Sequence, residues 1–189
     1  MITIITKGSR VLSCSASKPM KKGKDTAAKE KSLCYMDTPI GRIAIAEDGT
    51  GISDLIFAPS GVPLIPALSE ATLRETPLLR KAVTQLREYF QGERKIFDLP
   101  LSYWGTDFQM DDWQALLTIP YGQTRSYKEI AVQIGRPKAY RAVGLANNRN
   151  PISIIVPCHR VIGHDGAMVG YGSGIPMKEY LLKLEREHA

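Results

Sequence analysis

The sequence predicts an α+β fold, with strands gathered in the first half of the chain and helices in the second. Three observations carry that prediction. Two runs rich in β-branched residues, Ile40 to Glu47 and Ile52 to Phe57, flank Asp48-Gly49, a strong hairpin signal. Three later segments open on helix-capping residues: Thr76 before Pro77, Thr106 with Gln109, and Ser126 with Glu129. Between two further helical stretches runs the apolar Ile154-Ile155-Val156, closed by Pro157-Cys158-His159-Arg160.

Residues 1–31 read as a flexible basic tail, because apolar content falls after Leu12 while Lys, Ser and Ala are frequent. The tail holds eight Lys or Arg against two Asp or Glu, so it alone carries +6, and the remainder is balanced with seventeen of each sign. Global charge therefore says little about partners. The first residues are too short an apolar run for a secretory signal, and no stretch approaches the ~20 apolar residues of a membrane span. A cytoplasmic protein is expected, or a nuclear one in a eukaryote. Three cysteines, none paired at close spacing with another Cys or with the ligand spacing of zinc, argue against a disulfide framework and against a metal site.

Residues 32–103 form the expected N-terminal α/β unit. After the hairpin, a helix runs from Pro77 to about Phe90, capped by Thr76, with Pro77 in its first turn and Gly92 past its end. Its apolar stripe reads as Leu79, Val83, Leu86 and Phe90. No cluster of catalytic carboxylates occurs here, which points to a scaffold.

Residues 104–189 form the expected second unit. Thr106 to Ile119 reads as a helix whose capping box is completed by Gln109, and Pro120-Tyr121-Gly122 is a turn. Ser126-Tyr127-Lys128-Glu129 opens a short helix that Gly135 and Pro137 stop, and a second runs from about Lys138 to Asn148. Two short helices joined by a Gly-containing turn read as a helix-turn-helix. From Arg125 to Arg160 the chain has seven Lys or Arg against Glu129 alone, a local charge of +6 that suits phosphate binding. Met177 to Glu187 gives the last helix.

Cys158 is the candidate nucleophile. A free cysteine is only a few per cent thiolate at neutral pH, so a reactive one needs a base, a cation or a helix N-terminus beside it. His159 and Arg160 supply the first two. Pro157 ends the β-branched run, which suits a strand that breaks into a tight turn and displays the thiol. By itself the Cys-His pair is a weak signal, since lone cysteines are usually small core hydrophobes.

Context strengthens it. Pro157-Cys158-His159-Arg160 is preceded by Arg141-Ala142-Val143-Gly144 and Asn150-Pro151, and followed by Gly170-Tyr171 and Lys178-Glu179. From approximately Phe108 to Glu185 this spacing resembles the O6-alkylguanine-DNA alkyltransferases, also called methylated-DNA–protein-cysteine methyltransferases. The resemblance implies a small ribonuclease H-like N-terminal domain followed by a winged-helix-like helix-turn-helix domain. It implies a DNA repair protein that flips O6-alkylguanine, or O4-alkylthymine, out of the duplex and moves the alkyl group onto its own Cys158. The expected partner is double-stranded DNA with alkylated bases, met by a monomer that needs no cofactor.

The resemblance also implies roles. Cys158 corresponds to the alkyl acceptor, His159 to a general base reaching the thiol through a water, and Glu185 to the carboxylate that orients the imidazole. Asn150 would tie the helix-turn-helix to the reactive turn, a donor near Tyr171 would stabilise the departing oxygen, and Lys178 would give electrostatic support. Tyr127 would crowd the phosphate beside the target and meet the base, and Arg141 would enter the stack. Ala142, Gly144, Arg136, Lys138 and Arg160 complete the expected DNA face. Tyr127, Val161, Tyr171, Gly172 and Ser173 would wall the base pocket. One departure stands out: family members commonly carry a small residue and two glycines after the tyrosine, whereas this chain has Gly172-Ser173-Gly174. The product is a thioether, which offers water no carbonyl to attack, so each molecule is expected to act once. A non-enzymatic lesion sensor and a Cys-His-Glu hydrolase are the alternatives, and both differ in what becomes of Cys158.

Overall fold

A computed structural model of the chain describes residues 30–58 and 68–189. The tail expected over residues 1–31 lies almost wholly outside these residues, as does Cys14.

Three antiparallel strands, β1 (Ser32–Thr38), β2 (Gly41–Glu47) and β3 (Ile52–Phe57), form a meander, and the short β4 (Thr72–Leu73) adds in parallel to β1. The order across the sheet is β3-β2-β1-β4. The predicted hairpin is β2–β3, its turn held by the Asp48 carboxylate, which accepts from the backbone N–H groups of Thr50 and Gly51. Alternation along β2 sorts the faces: Ile43 and Ile45 enter the main core, Ala44 and Ala46 a smaller cluster with Leu33 and Leu68. The register slips by one residue at Ala46/Glu47, which lets both Ile52 and Leu55 reach the main core.

Helix α1 (Pro77–Phe90) lies against that face, with Thr76 accepting from the Leu79 N–H as predicted. Its buried residues are Leu79, Ala82, Gln85, Leu86 and Tyr89, so the predicted stripe is rotated. Val83 and Phe90 sit half-buried at its margin, and Tyr89 takes the central place because its hydroxyl has a buried partner.

Helix α2 (Asp107–Leu116) starts at Thr106 with both halves of the capping box made, and α3 (Tyr127–Gln133) does the same with Ser126 and Glu129. Helix α4 (Tyr140–Asn148) packs on both, as a helix-turn-helix requires. Strand β5 (Arg125–Ser126) pairs in parallel with β6 (Val161–Ile162), and α5 (Ile175–Glu187) closes the chain. That two-residue pairing brings the start of α3 alongside the Cys158 segment.

One apolar cluster runs through both halves, from Ile43 and Leu86 to Ile130, Val156 and Leu181. At about 1.5–3 kcal/mol for each fully buried large aliphatic side chain, this shared core ties the sheet to the helices. The carbonyl of Pro151 accepts from the Leu55 N–H at 2.8 Å, anchoring the reactive segment to β3. Among the described residues no helix is long and apolar enough to cross a membrane.

Candidate active site

The apolar run expected to be a strand is a buried turn. Ile155 N–H bonds Ser153 and Val156 N–H bonds Ile152, while Ile154 takes φ 72°, the only positive φ outside glycine among the described residues. A β-branched residue in the left-handed region costs of order 1–3 kcal/mol, and the full burial of Ile154 holds it there. Asn150 fixes the turn at both ends. Its Oδ1 accepts from Ile152 N–H at 3.0 Å, and its Nδ2 donates to Val156 O at 2.7 Å and to Cys158 Sγ at 3.1 Å.

Cys158 opens a single 3-10 turn, Cys158–Arg160. Its side chain is not displayed as the strand-and-turn expectation required: the residue is only 4% exposed. The cause is the turn itself, which packs Ile154, Ile155 and Val156 inward and carries the thiol with them. Burial pushes the thiol up to about 11, against the Asn150 hydrogen bond and the charge of Lys178. Cys158 therefore rests as a thiol near neutral pH, and to act as a nucleophile it would need a base to take its proton.

His159, the next residue, is the candidate for that base. It is fully buried, and its Nε2 meets Glu185 Oε1 at 2.8 Å, while Nδ1 has no hydrogen-bond partner in the protein. Glu185 thus fixes the ring so that Nδ1 presents the free lone pair. Burial holds the imidazole below its ordinary value in spite of the carboxylate, so it is neutral at pH 7.

Glu185 is a hub. At 0% exposure it accepts from five donors: Tyr89 OH, His159 Nε2 and Arg160 Nη2 on Oε1, and Gly122 N–H and Arg160 Nε on Oε2. Burial alone would raise its carboxyl, but the hydrogen bonds and charges of His159 and Arg160 outweigh that and hold it well below the usual carboxylate range. Lys178, Leu181 and Glu185 share the buried face of α5, spaced three and four residues apart.

Arg160 corrects one expectation. The resemblance places it on the DNA face, yet it is 7% exposed, with Nε and Nη2 on Glu185 and Nη1 donating to Ile119 O at 2.7 Å. A guanidinium so committed is not free for phosphate. Its work is to neutralise Glu185, because a buried carboxylate needs a paired cation.

Two of the remaining candidate residues, Tyr127 and Lys178, bond to the carbonyl of Val169. Tyr127, half-buried at the start of α3, donates its hydroxyl to Val169 O at 2.8 Å. Lys178, fully buried, donates to Val161 O at 2.5 Å and Val169 O at 3.1 Å, and its ammonium lies 5.6 Å from the Tyr127 ring centroid. Burial lowers this lysine to about 8, against the pull of an ionised Cys158. The Tyr171 hydroxyl is buried without a partner, and Val161 is buried in the strand that follows Arg160. Ser173 is half-buried and Gly172 is exposed; a Cβ built at Gly172 would lie 2.7 Å from Asn148 Oδ1, a side-chain end that would have to turn aside.

Arg136, Lys138 and Arg141 are exposed on the helix-turn-helix. Arg141 lies 5.9 Å over the Tyr140 ring, and Arg136 stacks 5.2 Å over Phe108 while its Nη2 is 3.5 Å from Asp111. A Cβ built at Gly144 would lie 3.8 Å from the Tyr127 ring, and Ala142 is half-buried.

Three residues escaped the sequence reading. Tyr89 and Gly122 complete the Glu185 hub and gave no local signal. Asp112 gave one: it stands four residues after Phe108 and four before Leu116, on the apolar stripe of α2, and it is fully buried. Among the described residues no group of three His, Cys, Asp or Glu side chains could hold a metal ion.

Two family models match the chain: the ribonuclease-like domain of 6-O-methylguanine DNA methyltransferase over residues 33–103, and its DNA binding domain over residues 107–187. A methylated-DNA–protein-cysteine methyltransferase of Methanosarcina barkeri is 53% identical over 154 residues, covering 81% of this chain and 96% of the relative. The constitutive one of Bacillus subtilis is 50% identical over 152 residues, covering 79% and 92%. Among solved structures, the O6-methylguanine methyltransferase of Mycobacterium tuberculosis is similar with a TM-score of 0.77 at 49% identity, over 84% of this chain and 94% of that one. A structure from the same organism in complex with DNA gives 0.75 at 48% identity, over 85% and 94%.

Proposed function

The chain belongs to the 6-O-methylguanine DNA methyltransferase family, and on that premise we propose which residues perform its reaction and in what order. The protein repairs DNA by alkyl transfer to one of its own cysteines, and the α+β arrangement is that of the family, ribonuclease-like and then DNA-binding. Cys158 is the acceptor. The observation that carries this is the chain Asn150–Cys158 followed by His159–Glu185: a thiol held at 3.1 Å by an amide, next in sequence to a neutral buried imidazole whose far nitrogen is on a carboxylate.

In this reading the proton leaves Cys158 for His159 Nδ1 by way of a water, and the imidazolium formed is stabilised by Glu185. The sulfur then attacks the alkyl carbon of the lesion. The carbon–oxygen bond breaks, its electron pair stays on guanine O6, and a thioether remains on Cys158. Tyr171, with its buried free hydroxyl, supports the departing oxygen, and Lys178 supplies a nearby positive field. A thioether has no leaving group that a neighbouring base could assist, so each molecule turns over once.

The lesion carbon lies within stacked DNA, so the base must be extruded into the pocket of Tyr127, Val161, Tyr171, Gly172 and Ser173, at a cost of a few kcal/mol. Arg141, exposed at the start of α4, fills the space left in the duplex, where a planar guanidinium both stacks and hydrogen-bonds. Arg136, Lys138, Ala142 and Gly144 seat the backbone, without Arg160. Residues 104–189 hold this chemistry, residues 32–103 brace it, and residues 1–31 add a basic tail. The protein acts as a monomer, in the cytoplasm or a eukaryotic nucleus.

Mass spectrometry after incubation with a methylated-guanine oligonucleotide tests the assignment. One methyl group on Cys158 is expected, none on Cys158→Ala, and no second turnover. A methyl group on another residue, or product exceeding protein, rejects it.

A further inference from the structure

Among the described residues, Asp112 is a fully buried acid whose two carboxylate oxygens both lack a hydrogen-bond partner. A buried carboxylate without a cation or donor is among the costliest groups a core can hold, and it avoids that cost by keeping its proton. Its stripe position on α2 calls for an apolar side chain. Its surroundings are specific. The next residue, Trp113, donates its indole N–H to Ala146 O at 3.0 Å, which sets α2 against the end of α4. The residue after Ala146 is Asn147, also buried with both side-chain polar atoms unpartnered. Helix α2 packs besides on α3 and on the Cys158–Arg160 turn.

On these elements Tyr127 of α3 and Cys158 of the turn feel the Asp112 charge, and Asn147 of α4 is buried. The charged residues of α3 and α4, Lys128, Glu129 and Arg141, are exposed, so none of them pairs a buried carboxylate. His159 and Arg160 of the turn are committed to Glu185, Lys178 of α5 to Val161 and Val169, and Asp111 of α2 itself is exposed beside Arg136.

We infer that Asp112 is an electrostatic positioning residue for Cys158: an acid kept uncharged beside the reactive turn, whose ionisation opposes formation of the thiolate and slows alkyl transfer. This deepens the proposed function and rests on Cys158 being the acceptor. Burial raises the Asp112 carboxyl to about 7, which puts the change in the physiological range. Its charge, once present, pushes up both Cys158 and Tyr127. On ionising, Asp112 gives its proton to solvent, and the turn then holds a fixed negative charge where a second one must form.

Asp112→Asn keeps the size and removes the titration. Single-turnover methyl transfer from a saturating methylated oligonucleotide to the full chain is followed from about pH 6 to about pH 9, on either side of the Asp112 transition. The two proteins are expected to agree within about twofold at the acid end, and the variant to be roughly tenfold faster at the alkaline end, the order of effect that a like charge exerts across a protein interior. A ratio of rates that does not change with pH overturns the inference. Should the variant fail to fold, carboxyl-carbon NMR of the unmodified protein decides. A buried aspartate titrating near neutrality is expected, and its being ionised already at about pH 5 overturns the inference. If the unmodified protein itself transfers no methyl group to Cys158, the proposed function fails instead; the NMR titration needs no DNA and is unaffected.

Discussion

Glu185→Gln is the sharpest perturbation of this site, because it changes charge and not shape. The carboxylate accepts from five donors, three on Oε1 and two on Oε2. Turned the better way, a glutamine amide points its NH2 at Gly122 N–H and Arg160 Nε, so two bonds are lost and two donors collide. Arg160, 7% exposed, is left as a buried charge with no counter-ion. Breaking a buried pair from one side costs about 3–5 kcal/mol. Denaturation in urea at pH 7 measures this: with a slope of about 2 kcal/mol/M, the midpoint falls by roughly 2 M. The rate of methyl transfer also falls, by about 10²-fold, because the His159 imidazolium loses its support. Glu185→Gln with Arg160→Met separates the two effects, since the second change removes the guanidinium left without a counter-ion and recovers much of the lost stability while His159 stays unsupported. A single variant that loses less than about 1 kcal/mol and keeps its rate within about twofold would refute the hub.

Four further outcomes are expected. Arg141→Ala leaves the urea midpoint within the equivalent of about 0.5 kcal/mol, as exposed substitutions do, but abolishes most repair of duplex DNA, while Arg160→Ala unfolds easily; equal behaviour of the two would restore Arg160 to the DNA face. Asn150→Ala removes bonds to Ile152, Val156 and Cys158 and costs about 2–4 kcal/mol by thermal or urea unfolding, with the thiol pushed still higher; a neutral outcome would mean the turn holds itself. Acid weakens the Glu185–His159 pair. Both groups sit below their ordinary values when folded, so their contribution is complete above about pH 6.5 and is lost as pH falls through the folded values; in an Asp112→Asn background, which removes the opposing titration, stability that is flat down to about pH 4 would contradict it. Asp112 has the opposite sign: its carboxyl rises from 3.8 to about 7, so its contribution is present below the lower value and lost through the higher. At about 1.4 kcal/mol per pH unit, the stability of Asp112→Asn relative to the unmodified protein grows by about 4 kcal/mol between pH 4 and pH 8, read from urea curves.

What was legible in the sequence was local. Thr76, Thr106 and Ser126 cap their helices through bonds to backbone three residues on, and the glutamine or glutamate that completes two capping boxes lies within the same turn. The Asp48-Gly49 hairpin is likewise closed by its own residues. The illegible parts depend on distant partners. Ile154-Ile155-Val156 has strand composition, yet Asn150 and the core fold it into a turn. The stripe of α1 turned because Tyr89 found Glu185, 96 residues away. Arg160 looked like one more basic residue beside a helix-turn-helix until its guanidinium was found on Glu185, 25 residues away.

The sequence by itself determined where helices and the hairpin begin and end, which cysteine has a base for a neighbour, and which family spacing surrounds it, because capping, turn chemistry and motif spacing are properties of a few adjacent residues. Only the tertiary structure decided which charges leave water. Glu185, Arg160, Lys178 and Asp112 are ordinary surface types in the linear chain, and burial becomes affordable or costly according to partners that only packing brings within reach.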